Sequence, residues 1–237
     1  MITVDLNRLK IETGNRILDI GCGSGRHTAA AHAHPDVVAI GADRNLQHLD
    51  AARNRMRLHD RLANGEVGRW ALLAADVTAL PFKDNFFDGI ICSEVLEHIA
   101  DHYVAAQEMM RVLKPGRFLA VSVPRRWPEK ICWRLSKDYR TSSGGHVRIY
   151  EHLGLRAMFE SVGGEYCSIH WAHSLHTPYW WLKCLVGPAR EDHAWVKLYH
   201  RFLTWDMMKK PRLTRFLDKL LNPLMGKSVV MYFRKEG

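Results

Sequence analysis

No pair of cysteines in this chain is spaced C-x-x-C. The five present, Cys22, Cys92, Cys132, Cys167 and Cys184, are scattered. That excludes a cysteine zinc site by spacing and argues against a disulfide framework. No apolar run reaches the roughly 18 residues of a membrane-spanning helix. The opening MITVDLNRLKIETGN lacks the basic-then-apolar layout of a secretory signal, so a cytoplasmic protein is expected. Internal repeats and low-complexity segments are absent. Acid is the scarcer charge, with 25 Asp and Glu against 34 Lys and Arg, a net charge of +9. Such a surplus suits an anionic partner (nucleic acid, acidic lipid or an anionic substrate) or a solvated basic surface. The 237 residues, 47% hydrophobic, suffice for one core with an insertion.

What is present is an alternation. RILDIGC, DVVAIGADR, WALLAADVTALPF, FFDGIICSEVLEHI and RFLAVSVP read as strands. SGRHTAAAHAHP, NLQHLDAARNRMRLHDRLAN and DHYVAAQEMMRVLKPG between them have helical spacing, the last expected to end at Pro115–Gly116. This is the pattern of βαβ units and a parallel sheet. After Pro124 comes a basic stretch, RRWPEKICWRLSKDYRTSSGGH, expected to be irregular. IYEHLGLRAMFESVGG reads as an amphipathic helix, EYCSIHW as a sixth strand and KSVVMYFRK as a last one. Residues 172–226 between them are aromatic-rich and expected to be a helical insertion, with 1–171 and 227–237 as the core.

The first strand runs into LDIGCGSG, with Gly21, Gly23 and Gly25 alternating with small residues behind Asp19. Glycine permits positive φ and close approach of a ligand. Ligands of open α/β sheets bind at such strand ends. The dinucleotide fingerprint G-x-G-x-x-G is not met, because its last position is Arg26. Asp43 ends the second strand, where an acid can accept from ribose hydroxyls. Asp76 follows the third strand.

Together LDIGCGSG, Asp43, AADVTALPF, FDGIICSEVLEHI and RVLKPGRFLAVSVP, in this order, resemble the class I S-adenosylmethionine-dependent methyltransferases, in particular the ubiquinone/menaquinone-biosynthesis-like group. The resemblance covers roughly Arg16 to Gly164 and returns at the last strand. It implies a Rossmann-like, doubly wound, seven-stranded α/β sheet whose last strand is antiparallel. It implies S-adenosylmethionine as cofactor and S-adenosylhomocysteine as product. Asp19 with the Gly21 and Gly23 backbone would hold the methionine end, and Gly25 and Cys22, a packed thiol, complete the loop. Asp43 would take the ribose, with Arg44 on the adenine face. Asp76 and the Val77 backbone would meet the adenine, and Ser93 would line the floor. The family's amino-terminal lid has only Met1 to Thr13 to match it, so another segment is expected to exclude water.

An antiparallel last strand puts residues 172–226 on the face that binds ligands. Six of the eight tryptophans, Trp127, Trp133, Trp180, Trp181, Trp195 and Trp205, lie there or in the basic stretch. An apolar or ring-bearing substrate, or a cap, is expected, with Trp127, Tyr150, His176, Trp180 and Trp181 as candidate substrate residues. Each could instead pack a small core of the insertion. For a hydroxyl acceptor His98 is the first candidate general base and His146 the second, followed by His173 and His176. No metal is expected. The favoured reading is methyl transfer, to oxygen, on a small-molecule, lipid or glycolipid acceptor, with peripheral contact to anionic membrane open. A tRNA methyltransferase and a non-catalytic partner-binding subunit of the same fold are the alternatives. Oligomeric state is not readable.

Overall fold

The computed structural model describes residues 2–63, 65–141, 146–190 and 192–237. Seven strands form one sheet: β1 (Arg16–Ile20), β2 (Val38–Asp43), β3 (Arg69–Ala74), β4 (Phe87–Ser93), β5 (Leu113–Pro124), β6 (Gly164–Ala172) and β7 (Ser228–Lys235). Their order is β3-β2-β1-β4-β5-β7-β6. The first five pair in parallel, and β7 is antiparallel to both β5 and β6. β1 and β4 are almost wholly buried, as central parallel strands covered on both faces must be. The order turns back between β1 and β4, so their carboxyl ends open a crevice there.

Helices α1 (Arg26–His32), α2 (Leu46–Leu62) and α3 (His102–Val112) connect the parallel strands. The larger core cluster joins Ile90, Leu119 and Phe233 of the sheet to Met109 of α3 and Phe159 of α6 (His152–Glu160). The other face is covered by Ala31 of α1 and by Val4 and Leu9 of the amino-terminal segment. His27 Nε2 accepts from the Thr3 and Val4 N–H groups at 3.1 and 3.4 Å, and Tyr232 Oη accepts from Asp5 N at 2.8 Å. That segment is thus a strap against the sheet.

Two expected boundaries are corrected. α3 stops at Val112, before Pro115, and Leu113 already pairs with Phe87. A residue before proline is pushed out of the helical region, so Lys114–Pro115–Gly116 become an irregularity in β5, with Gly116 at φ 73. Up to position 141 the stretch after Pro124 is not irregular but forms α4 (Arg126–Leu135) and α5 (Lys137–Thr141), and its residues 142–145 lie outside the described residues. Pro128 lies in the first turn of α4, where its missing N–H leaves no gap in the ladder. Cys132 and Glu129 give α4 its buried side.

Between β6 and β7 come α7 (Thr177–Val186), α8 (Ala194–Lys209) and α9 (Arg212–Met225). α7 lies on α4: the Trp181 indole N–H donates to the Pro128 carbonyl at 3.2 Å, and its ring meets Trp127 at 5.6 Å. α9 is inverted relative to an ordinary amphipathic helix, which buries its apolar stripe. Its inward side chains are polar. Thr214 is buried, Asp218 accepts from Ser174 Oγ at 2.8 Å, and Asn222 Oδ1 accepts from Ser174 N at 2.9 Å. Leu213, Phe216, Leu220 and Leu224 fall on the opposite face and are 59–68% exposed. α8 adds the exposed Trp195, Leu198 and Trp205. Among the described residues no helix is long and apolar enough to cross a membrane.

Candidate active site

The glycine loop follows β1 because β1 ends under the loop after β4. A Cβ on Gly21 would lie 2.3 Å from Val95 Cγ2, and its φ is +61°, so no larger residue fits there. A Cβ on Gly23 would meet nothing within 4 Å, which leaves open space on the ligand side of the loop. Asp43, at the end of β2, steadies the turn by accepting from Gly23 N at 2.9 Å and Asn45 N at 2.8 Å.

These residues open onto a cavity of about 400 Å³ at the carboxyl ends of β1, β2 and β4. Of the sequence candidates, Gly21, Cys22, Gly23, Asp43, Arg44, Val77, Ser93 and His98 line it. Asp19, Gly25 and Asp76 do not. Gly25 precedes α1 in the left-handed conformation. Asp76 is half-exposed, accepts from Thr78 N and Oγ1 at 2.9 and 2.7 Å, and has Arg44 at 3.5 Å. Asp19 lies beneath the loop, where its Oδ2 accepts from Thr28 N at 2.8 Å and Thr28 Oγ1 at 2.6 Å. Burial raises its carboxyl to about 7, against the pull of those two bonds. The cavity's size, the bare Gly23 and the Asp43 carboxylate at its rim fit a nucleoside-bearing ligand such as S-adenosylmethionine.

Asp19 carries a pH prediction. Its carboxyl titrates near 7 folded and near 3.8 unfolded, so the native state holds the extra proton between those values. Stability therefore falls as pH rises through that window and is level above it. Asp19→Asn keeps an acceptor for Thr28 and cannot ionise. It should remove the slope and exceed the parent above pH 7 by on the order of a few kcal/mol. Urea unfolding of both proteins across that range checks this, and parallel profiles would refute it.

Beside the cavity the chain after β4 makes a 3₁₀ turn, Leu96–His98. The residues after position 145 return to it. Val147 N donates to the Glu97 carbonyl at 2.9 Å, and Arg148 donates to the carbonyls of Ile99 and Ala100 at 2.6 and 2.9 Å. This brings the His146 ring within 5.0 Å of the His98 ring. From α4 the buried Glu129 takes His146 Nδ1 at 2.6 Å. Burial, the largest influence on Glu129, raises its carboxyl, but the His146 bond and the Lys227 charge outweigh it and hold it low. Glu97 is raised well above the ordinary carboxylate range by burial first and by the Glu94 charge second. Tyr150 is buried, with its Oη 2.7 Å from His102 Nδ1.

The other substrate candidates stand outside the cavity lining. Trp127 and Trp181 meet at a tilted angle at the α4–α7 contact, and Trp180 packs 5.9 Å from Tyr139. His176 lies beside His173 and is lowered to about 4 by burial. A larger cavity of about 760 Å³ lies between the amino-terminal strap, α1, α8 and α9, and shares Arg26 with the first. The sequence reading missed Glu94, Glu97 and Glu129. The first two had a signal, two acids three residues apart ending directly at His98. Glu129 had none, because only the fold carries α4 to His146.

Residues 18–121 match the sequence profile of a methyltransferase domain family. The chain is 34% identical over 159 residues to the methyltransferase GfsG of Streptomyces halstedii, covering 66% of this chain and 55% of that protein. It is 37% identical over 136 residues to the ubiquinone/menaquinone biosynthesis C-methyltransferase UbiE of Vibrio cholerae, covering 55% and 48%. The chain thus spans about half the length of the curated relatives it matches. In fold it is similar to a SAM-dependent methyltransferase of Methanosarcina mazei, with a TM-score of 0.60, 16% identity and coverage of 98% and 96%. The match over β1 to β5, the strand order and the glycine loop agree: the chain carries a methyltransferase domain with the class I, S-adenosylmethionine-dependent methyltransferase fold.

Proposed function

We propose that this protein transfers the methyl group of S-adenosylmethionine to a hydroxyl oxygen of a lipid-like or other small-molecule acceptor. The observation that carries the reading is the histidine pair, His98 and His146, backed by the buried Glu97 and Glu129 at the edge of the donor cavity. When bound, the donor supplies an already activated methyl, so the chain's work is alignment, dryness and handling of the acceptor's proton. Gly21, Gly23 and Asp43 hold the donor. Ser93 bonds Ser122 at 2.8 Å, and Ser122 donates to Glu94 at 3.0 Å, which fixes the floor between the donor and the histidines. The test is incubation of the full chain with methyl-labelled S-adenosylmethionine and fractionated lipid, small-molecule and RNA extracts. Label in a methyl ether of the lipid or small-molecule fraction is expected. Label in RNA alone would contradict the reading.

The lipid-like acceptor is supported by α8 and α9. Their outward stripes of Trp, Phe and Leu are flanked by the exposed Lys209, Lys210, Arg212 and Lys219. This is the composition of a helix lying in an anionic membrane surface. Vesicles of anionic phospholipid should bind the protein, and vesicles of neutral phospholipid should bind it less. Each apolar side chain withdrawn from water contributes roughly 1.5–3 kcal/mol. Phe216→Asp should therefore weaken vesicle binding about tenfold or more, without touching the donor cavity. Equal binding by both proteins would remove the membrane from the account.

A further inference from the structure

Glu97 is 1% exposed, and neither of its carboxylate oxygens has a hydrogen-bond partner among the described residues. A carboxylate stripped of water without a partner costs several kcal/mol. One ligand atom from each of Glu97, His98 and His146 lies within 4.8 Å of the others. His146 is held from behind, because Glu129 takes its Nδ1 at 2.6 Å and leaves Nε2 as its coordinating nitrogen. A carboxylate behind a histidine, fixing its tautomer and raising its basicity, is the usual support of a metal-binding imidazole. The Val147 N–H bond to the Glu97 carbonyl fixes the distance between the two chain segments.

We propose that Glu97, His98 and His146 bind a divalent transition-metal cation at the edge of the donor cavity, with Glu129 as the residue that positions His146. One carboxylate and two imidazoles suit Zn²⁺, Mn²⁺, Fe²⁺ or Co²⁺. Ca²⁺ asks for six to eight oxygens and is poorly served. Three protein ligands leave coordination positions open to an acceptor oxygen, a role that rests on the hydroxyl reading above. The cation would act as a Lewis acid and lower the pKa of the bound hydroxyl. The O–H bond breaks and its proton passes to solvent. The oxygen then forms the new C–O bond as the methyl–sulfur bond breaks, and the bonding pair stays on sulfur in S-adenosylhomocysteine. No oxidant or reductant is needed.

The probe is Co²⁺ alone, added to the full chain after chelator treatment and followed by its visible ligand-field absorption. Binding of S-adenosylhomocysteine is titrated on the same samples. One equivalent of Co²⁺ with nitrogen ligation is expected for the parent. Glu97→Gln and His146→Ala should lose it, and Glu129→Gln should weaken it about 10–100-fold. Because His146 is partly exposed, its variant guards against a folding failure at Glu97. S-adenosylhomocysteine affinity should stay within a few fold throughout. A parent that binds S-adenosylhomocysteine but not Co²⁺ would overturn the cation site and leave the methyl-transfer reading intact. Unchanged Co²⁺ binding in both ligand variants would also overturn it. Co²⁺ bound as expected without S-adenosylhomocysteine binding would support the site and sink the donor reading.

Discussion

His146→Ala should lower methyl transfer about 10²–10⁴-fold, the range expected for removing a side chain on which activation of the acceptor hydroxyl depends. It should do so with S-adenosylhomocysteine affinity unchanged within a few fold, because His146 does not line the donor cavity. The separation matters. His146 is half-buried and tied to Glu129, so a merely structural role would show as lost stability and lost ligand binding together. A loss confined to turnover, with KM for the donor unchanged, assigns it to the acceptor side. Wild-type turnover in the variant would refute the proposed use of the histidine pair.

Asp43→Ala should produce the opposite pattern. Its carboxylate closes β2 against the glycine loop through Gly23 N at 2.9 Å and faces the cavity. A charge-assisted bond to a ribose hydroxyl is worth roughly 1.5–3 kcal/mol, or about 10–150-fold in affinity. The loop also loses an anchor, so the effect should reach the upper part of that range. Calorimetric titration with S-adenosylhomocysteine reads it directly. Unchanged affinity would mean that another acid holds the ligand.

The sheet was legible because its signals are local. Apolar runs ending in Gly21, Asp43 and Ser93 are strand ends seen in one dimension, and the motif order carried the topology to β7. The donor cavity was legible for the same reason, since Gly21, Gly23, Asp43, Arg44 and Ser93 lie at or just after strand ends. Asp19 was the exception: its sequence neighbour is the glycine loop, but its partner in space is Thr28, nine residues on in the first turn of α1, a helix whose packing the sequence does not state. The acceptor side was harder. Glu97 and His98 come from one turn, His146 from a segment nearly fifty residues later, and Glu129 from a helix read as irregular. Only tertiary structure joins them, so no metal-ligand spacing was visible. α9 shows the same limit: its sequence is amphipathic, but which face turns inward is decided by Asp218 and Asn222 bonding Ser174.

The measurement closest to the central claim is thermal unfolding of the unmodified chain with S-adenosylhomocysteine and, separately, NAD. A ligand that binds only the native state stabilises it by about 2.7 kcal/mol at 100 times its Kd. For a chain of this size that is a rise in Tm of roughly 5–10 °C. S-adenosylhomocysteine should give that rise and NAD none. A rise with NAD and none with S-adenosylhomocysteine would contradict the account at its root, because the Gly21–Asp43 cleft would then belong to a dinucleotide.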